Sequence, residues 1–128
     1  MTSNGIVTIP SHRSVDATVE KLKRLLEAKN VKLFALIDHS GEAEKAGMRM
    51  PNTKLLIFGN PAAGTAVMLA APIAALDLPL KILVWDDAEA RTWISYNTAE
   101  YLQGRHEFPE GLTGNITAIG VLAALAAE

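Results

Sequence analysis

Asp38, His39 and Ser40 stand side by side in this chain. A carboxylate next to an imidazole can tune its pKa or fix its tautomer, which is what general acid–base chemistry asks of a histidine. His39 is the first choice for a general base here, with Asp38 as its orienting acid. Consecutive residues on a strand point to opposite faces, so three in a row do not assemble a hydrolytic triad. Ser40 reads instead as a helix N-cap. A second group follows Tyr96 and Asn97: Tyr101, Arg105 and His106. An arginine fork can clamp a carboxylate or phosphate, and the neighbouring His106 can move a proton. Asp38, His39 and His106 are therefore the catalytic candidates.

The stretch Gly59-Asn60-Pro61-Ala62-Ala63-Gly64-Thr65 has the glycine spacing of a phosphate loop and lies between an apolar strand and a helical segment. It lacks the lysine that should follow the second glycine. Ala66 follows Thr65, and Pro61 removes a backbone donor. Asp86-Asp87, after Leu-Lys-Ile-Leu-Val-Trp, imitates a magnesium-binding strand end but equally suits a hairpin turn. The loop reads better as a glycine-permitted turn into a helix. Its helix N-terminus could still attract a carboxylate or small anion. Asn60 and Thr65, with Asn97 and Arg105, are the ligand-binding candidates.

The three histidines, His12, His39 and His106, have no metal-motif spacing, so no metal site and no cofactor is expected. The 128 residues include no cysteine, which removes disulfides and thiol chemistry. Net charge is −2 with no basic block, against a nucleic-acid partner, which needs a positive footprint. No Lys/Arg-rich amphipathic helix suggests a membrane surface, and the longest apolar run is broken by Pro72, Asp77 and Pro79. The N-terminal Met1-Thr2-Ser3-Asn4-Gly5 does not read as a signal peptide. A cytoplasmic location is the expectation. At 49% hydrophobic and 20% charged residues, the chain has a core and some apolar surface to spare for a partner subunit.

One domain over residues 1–128 is expected, α+β, with the order β-α-β-β-β-β-α, extra short helices, and helices packed on one face of an antiparallel sheet. Strands are read at Gly5–Pro10, Val31–Asp38, Thr53–Gly59, Leu80–Asp86 and Thr92–Asn97. Val15, Val19, Leu22, Leu25 and Leu26 give one apolar face to a helix from Val15 to Lys29. Shorter helices are expected from Gly41 to Ala46, from Thr65 to about Ala75 with a break at Pro72, and from Thr98 through Leu102. An irregular loop runs from Gly104 to Gly111, and a closing helix from Leu112 to Ala127. If strands two to five form a meander, the polar residues divide between opposite sheet ends. His12, Asp38, His39 and Asp86 fall at one end, and Asn60, Thr65, Asn97 and Arg105 at the other.

Four segments together, FALIDHSGEAEKAGM, TKLLIFGNPAAGTAVMLAAP, AALDLPLKILVW and ISYNTAEYLQGRH, resemble the bacterial and archaeal family called domain of unknown function 302. The resemblance implies a small α+β fold, similar in topology to half of a TATA-box-binding protein, and dimers in many members. It carries no established activity. Members often have lysine where this chain has Ala62, and proline where it has Ala66.

The leading functional expectation is a homodimer that binds a small ligand, anions among the candidates, through its polar turn residues. One alternative is an acid–base enzyme using Asp38/His39 or Arg105/His106. Another is a structural or interaction module whose Ala-rich helices pack against a partner.

Overall fold

The structure, a computed structural model, describes residues 4–128. Met1 to Ser3, part of the stretch expected not to be a signal peptide, lie outside the described residues.

The elements are β1 (Ile6–Pro10), α1 (Val15–Ala28), β2 (Lys32–Asp38), α2 (His39–Lys45), β3 (Thr53–Gly59), α3 (Pro61–Ala70), β4 (Leu80–Asp86), β5 (Thr92–Asn97), α4 (Ala99–His106) and α5 (Ala118–Ala127). Single 3-10 stretches occupy Pro72–Leu76 and Glu110–Asn115. All neighbouring strand pairs are antiparallel, and the five-stranded sheet runs β1-β5-β4-β3-β2. The expected α+β meander is what forms, with β1 returning to the free edge of β5. A register shift between Leu33 and Ala35 pushes Phe34 out of the β2 ladder.

Strand periodicity divides the residues between two faces. Leu56 and Phe58 on β3, Ile82 and Val84 on β4 and Ile94 on β5 are buried. They face the layer made by Val15, Val19, Leu22 and Leu26 of α1 and by Ile119, Leu122, Ala123 and Ala126 of α5. The alternate residues, Leu55, Ile57, Leu83, Trp85 and Trp93, point to the other face and stay partly exposed. Burying a large aliphatic side chain contributes about 1.5 to 3 kcal/mol, so the helix-side layer dominates stability.

Ser14 caps α1 by accepting the Ala17 N–H at 3.1 Å, as its type allows. The segment Glu110–Ala127 is long and apolar enough to cross a membrane by composition. In this fold it is a 3-10 stretch followed by α5, and the buried residues of α5 belong to the core.

Several helix boundaries differ from those expected. Asp38, not Ser40, is the N-cap of α2. α3 starts at Pro61 rather than Thr65, with Asn60 as its N-cap, and it stops at Ala70. α4 continues past Leu102 and Gly104 to His106, ended by Glu107 in a left-handed conformation (φ 55°). The closing helix starts at Ala118 rather than Leu112.

Candidate functional site

The first cluster does not converge. Asp38 and His12 lie at the same end of the sheet but beside opposite edge strands, β2 and β1. Asp86 accepts the Thr92 hydroxyl at 2.7 Å. Asp87 organises the following hairpin by accepting the N–H groups of Glu89 at 2.9 Å and Arg91 at 3.0 Å. It also accepts the Trp93 indole N–H at 2.9 Å, and that bond, with the backbone N–H of Arg91, holds its carboxyl below the usual range. The two aspartates thus build a turn. Asp38 Oδ1 accepts the Ser40 hydroxyl at 2.6 Å and the Gly41 N–H at 2.9 Å. These bonds, the hydroxyl first, hold its carboxyl below the ordinary aspartate value of 3.8. His39 is the exposed first residue of α2, and Asp38 spends Oδ1 on the cap rather than on that ring.

His106 does find a carboxylate, 29 residues away in sequence. Its Nε2 lies 2.6 Å from Asp77 Oδ2, and Arg105 donates to the same oxygen at 3.1 Å. The His106 side chain is 5% exposed and that of Asp77 19%, whereas Arg105 is 50% exposed. The pair ties α4 to the end of the Pro72–Leu76 turn. The space beside it, bounded by Val67, Leu78, Phe108 and Ile116, is too narrow to admit a water molecule. A substrate has no room there, and the geometry is that of a buried strut.

A cavity of about 360 Å³ opens beneath the β3–α3 turn. Phe34, Met68, Leu78, Pro79, Leu80 and Ile116 supply its apolar wall. Asn60, Thr65 and Asn115 supply its polar side chains. Among the described residues that line it, none is charged. The phosphate-loop resemblance dissolves at atomic level. Asn60 Oδ1 accepts from the Ala62 and Ala63 N–H groups at 3.0 and 3.2 Å, and Gly64 N–H donates to Asn60 O at 2.9 Å. Pro61 has no N–H to offer. The first-turn donors of α3 that an anion would need are therefore already satisfied within the chain. Thr65 donates its hydroxyl to Pro61 O at 2.6 Å.

What remains free in the cavity follows by subtraction. Because Oδ1 of Asn60 takes two N–H bonds, its amide NH₂ is left as a donor. Asn115 Nδ2 donates to Ala63 O at 3.1 Å, so its own Oδ1 is left as an acceptor. Asn60 and Thr65 both line this cavity. Asn97, at the end of β5 opposite Ile6, and Arg105 do not line this cavity. Asn115, Phe34 and Asp77 were not singled out as site residues. Asp77 lies in a segment that marks the resemblance, but nothing in the sequence pairs it with His106.

The fold and its segments match a family described as domain of unknown function DUF302, over residues 7–125. The chain belongs to that family. A crystal structure of an uncharacterised conserved DUF302 protein from Bacillus stearothermophilus shares the fold, with a TM-score of 0.79 at 17% identity. The match covers 98% of this chain and 97% of that one. A protein of Brucella suis named fluoride-specific ion channel FluC 1 is 34% identical over 113 residues, covering 88% of this chain and 44% of that protein. A Brucella abortus protein of the same name is also 34% identical over 113 residues, covering 88% of this chain and 41% of that protein. The chain thus spans less than half the length of these relatives. DUF302 membership establishes the α+β fold and leaves the activity to be read from the site.

Proposed function

We propose that this chain is a homodimeric small-molecule-binding domain, and that its ligand occupies the cavity beneath the Asn60 turn. The observation that carries the reading is that cavity: about 360 Å³, apolar walls, and two asparagine amides with one free donor and one free acceptor. Its size falls within the range of pockets that hold small ligands, and a few placed polar groups on an apolar wall is their usual chemistry. The absence of charge among its described lining residues favours an uncharged ligand over the anion suggested by the loop's spacing. An amide, lactam or similar group offers a donor and an acceptor together and suits both asparagines. The homodimer half of the proposal rests on the apolar sheet face turned away from α1 and α5. The fluoride-channel activity named for the Brucella relatives belongs to proteins more than twice as long as the shared segment, and a fluoride ion would meet no cation in this cavity.

A thermal-shift panel tests the ligand. Neutral amides and lactams are expected to raise the melting temperature, and inorganic phosphate, sulfate and simple carboxylates are not. A ligand at a hundred times its Kd stabilises by about 2.7 kcal/mol. Gly64 lines the cavity, and a Cβ built there meets only Met68 Cε, at 4.0 Å. Gly64→Leu fills the space while improving helix propensity, so it should abolish the ligand shift without loss of stability. A panel with no response from any neutral compound, or a response untouched by Gly64→Leu, refutes the assignment of the cavity.

A further inference from the structure

The outward face of the sheet is built from three cross-strand rows. One runs Pro10, Trp93, Trp85, Thr53. The next runs Thr8, Ser95, Leu83, Leu55, Ile37. On the third, Ile6 pairs Asn97, and Lys81 pairs Ile57 beside Ala35. The two helices of the buried layer, α1 and α5, both lie on the opposite face. Most of the side chains are apolar, and the Trp85 and Trp93 rings stack with centroids 6.4 Å apart.

Two properties make this face cheap to dry. Several of its polar groups are paired within the chain: Ser95 Oγ lies 2.8 Å from Thr8 Oγ1 and accepts the Trp85 indole N–H at 2.9 Å, while Trp93 donates to Asp87. Burying groups already bonded to each other avoids the desolvation penalty of an unpaired donor. Its charges are also unevenly spread, although Arg91, which pairs with Glu89 at 2.7 Å, offsets part of the acidic end. Lys81, and Lys32 opposite Gly59, stand at one end, and the hairpin, with Asp86, Asp87 and Glu89 against the single cation Arg91, stands at the other, about 20 Å along the strand.

The geometry points to this face as the surface on which a second copy of the chain docks, with the two-fold axis crossing the strands so that Lys81 of each copy faces the Asp87–Glu89 hairpin of the other. The inference rests on the homodimer half of the proposal above and adds the face and the axis. Rotation about an axis across the strands lays β4 over β4 with its ends reversed. Each lysine end then meets an acidic end, and Leu83 and Leu55 meet near the axis. An axis along the strands would instead place Lys81 over Lys81, which costs free energy. Five strands at about 4.8 Å spacing, each roughly 20 Å long, give a face of about 480 Å² in projection. Counted on both copies and with side-chain relief added, that reaches the roughly 1,000 Å² expected of a specific interface. Two twisted sheets packing face to face about 10 Å apart is an established arrangement.

Light scattering and sedimentation across a range of concentrations read the result. The 13.7 kDa chain is expected at twice its mass. Leu83→Glu should give a monomer with an unchanged circular-dichroism spectrum. Lys81→Glu, a surface change that spares the core, should weaken association roughly tenfold, and adding Glu89→Lys should restore it. A wild-type monomer at every concentration overturns both the dimer and the face. A dimer indifferent to Leu83→Glu and Lys81→Glu overturns the face and leaves the dimer standing. If Leu83→Glu unfolds the chain, the Lys81→Glu pair decides alone: no weakening refutes the face.

Discussion

Asn60 holds two roles that one pair of substitutions can separate. Its Oδ1 accepts the second and third N–H groups of α3, at 3.0 and 3.2 Å, and its NH₂ is left for the cavity. α3 has only 10 residues, includes Gly64 and Thr65, and would not be stable alone. Its first turn depends on this one side chain. Asn60→Ala removes the acceptor, and an N-cap truncation costs about 1 to 2 kcal/mol. For a domain of this size each kcal/mol moves Tm by about 4 °C, so a fall of about 4 to 8 °C is expected. Asn60→Asp keeps the acceptor and adds a negative charge at the positive end of the helix, worth about 0.3 to 1 kcal/mol. At neutral pH its stability should equal or exceed that of the native chain. Yet Asp offers no donor, so both variants should lose the melting-temperature response to neutral amides. Urea titrations give the stabilities, and thermal shift with the responsive amide gives binding. If Asn60→Asp is as unstable as Asn60→Ala, the capping argument fails. If it keeps the amide response, the free NH₂ does not read the ligand.

Asp77→Ala should cost about 1 to 3 kcal/mol in urea denaturation, because it strands a buried imidazole, whereas Arg105→Ala on the exposed side should cost less than about 1 kcal/mol; equal costs would contradict the strut reading. Asp38 and Asp87 have folded pKa values below the ordinary 3.8. Their contribution is therefore present above that value and is lost as pH falls through the folded values. Stability followed from pH 5 to pH 2 should decline less steeply in the Asp38→Asn, Asp87→Asn double variant than in the native chain, and an unchanged slope would refute the assignment.

Strand structure was legible in the sequence because its signal is local. The apolar runs Thr53–Gly59, Leu80–Asp86 and Thr92–Asn97 each end at a glycine, aspartate or asparagine, residue types that favour a turn, and the structure has the same bounds. Helix starts were harder, because several residues nearby can cap. Asp38 and Ser40 are both good N-cap types; the structure uses Asp38 for the backbone and spends the Ser40 hydroxyl on that same carboxylate. Asn60-Pro61 is a cap followed by proline at the first helical position, a start signal. The glycine spacing of a phosphate loop drew attention away from it, and the helix was expected four residues late. Gly104 likewise suggested a break inside α4, although a helix interior can hold a glycine at a cost of about 1 kcal/mol.

The site was legible only where it is local. Asn60 and Thr65 are close in sequence, and both line the cavity. Asn115 reaches Ala63 across 52 residues, and Asp77 reaches His106 across 29. No periodicity encodes such contacts, because they depend on how α4 packs on the Pro72–Leu76 stretch and the Glu110–Asn115 stretch on α3. Those same contacts decide the chemistry. Asp77 gives His106 a partner but leaves no space beside it, which turns a catalytic candidate into a strut. Asn60 supplies to its own helix the acceptor that an anion would have brought, which turns a phosphate-like loop into the rim of an uncharged cavity. In both places the residue types suggested a reaction, and the partners they found inside the chain use up the groups that the reaction would need.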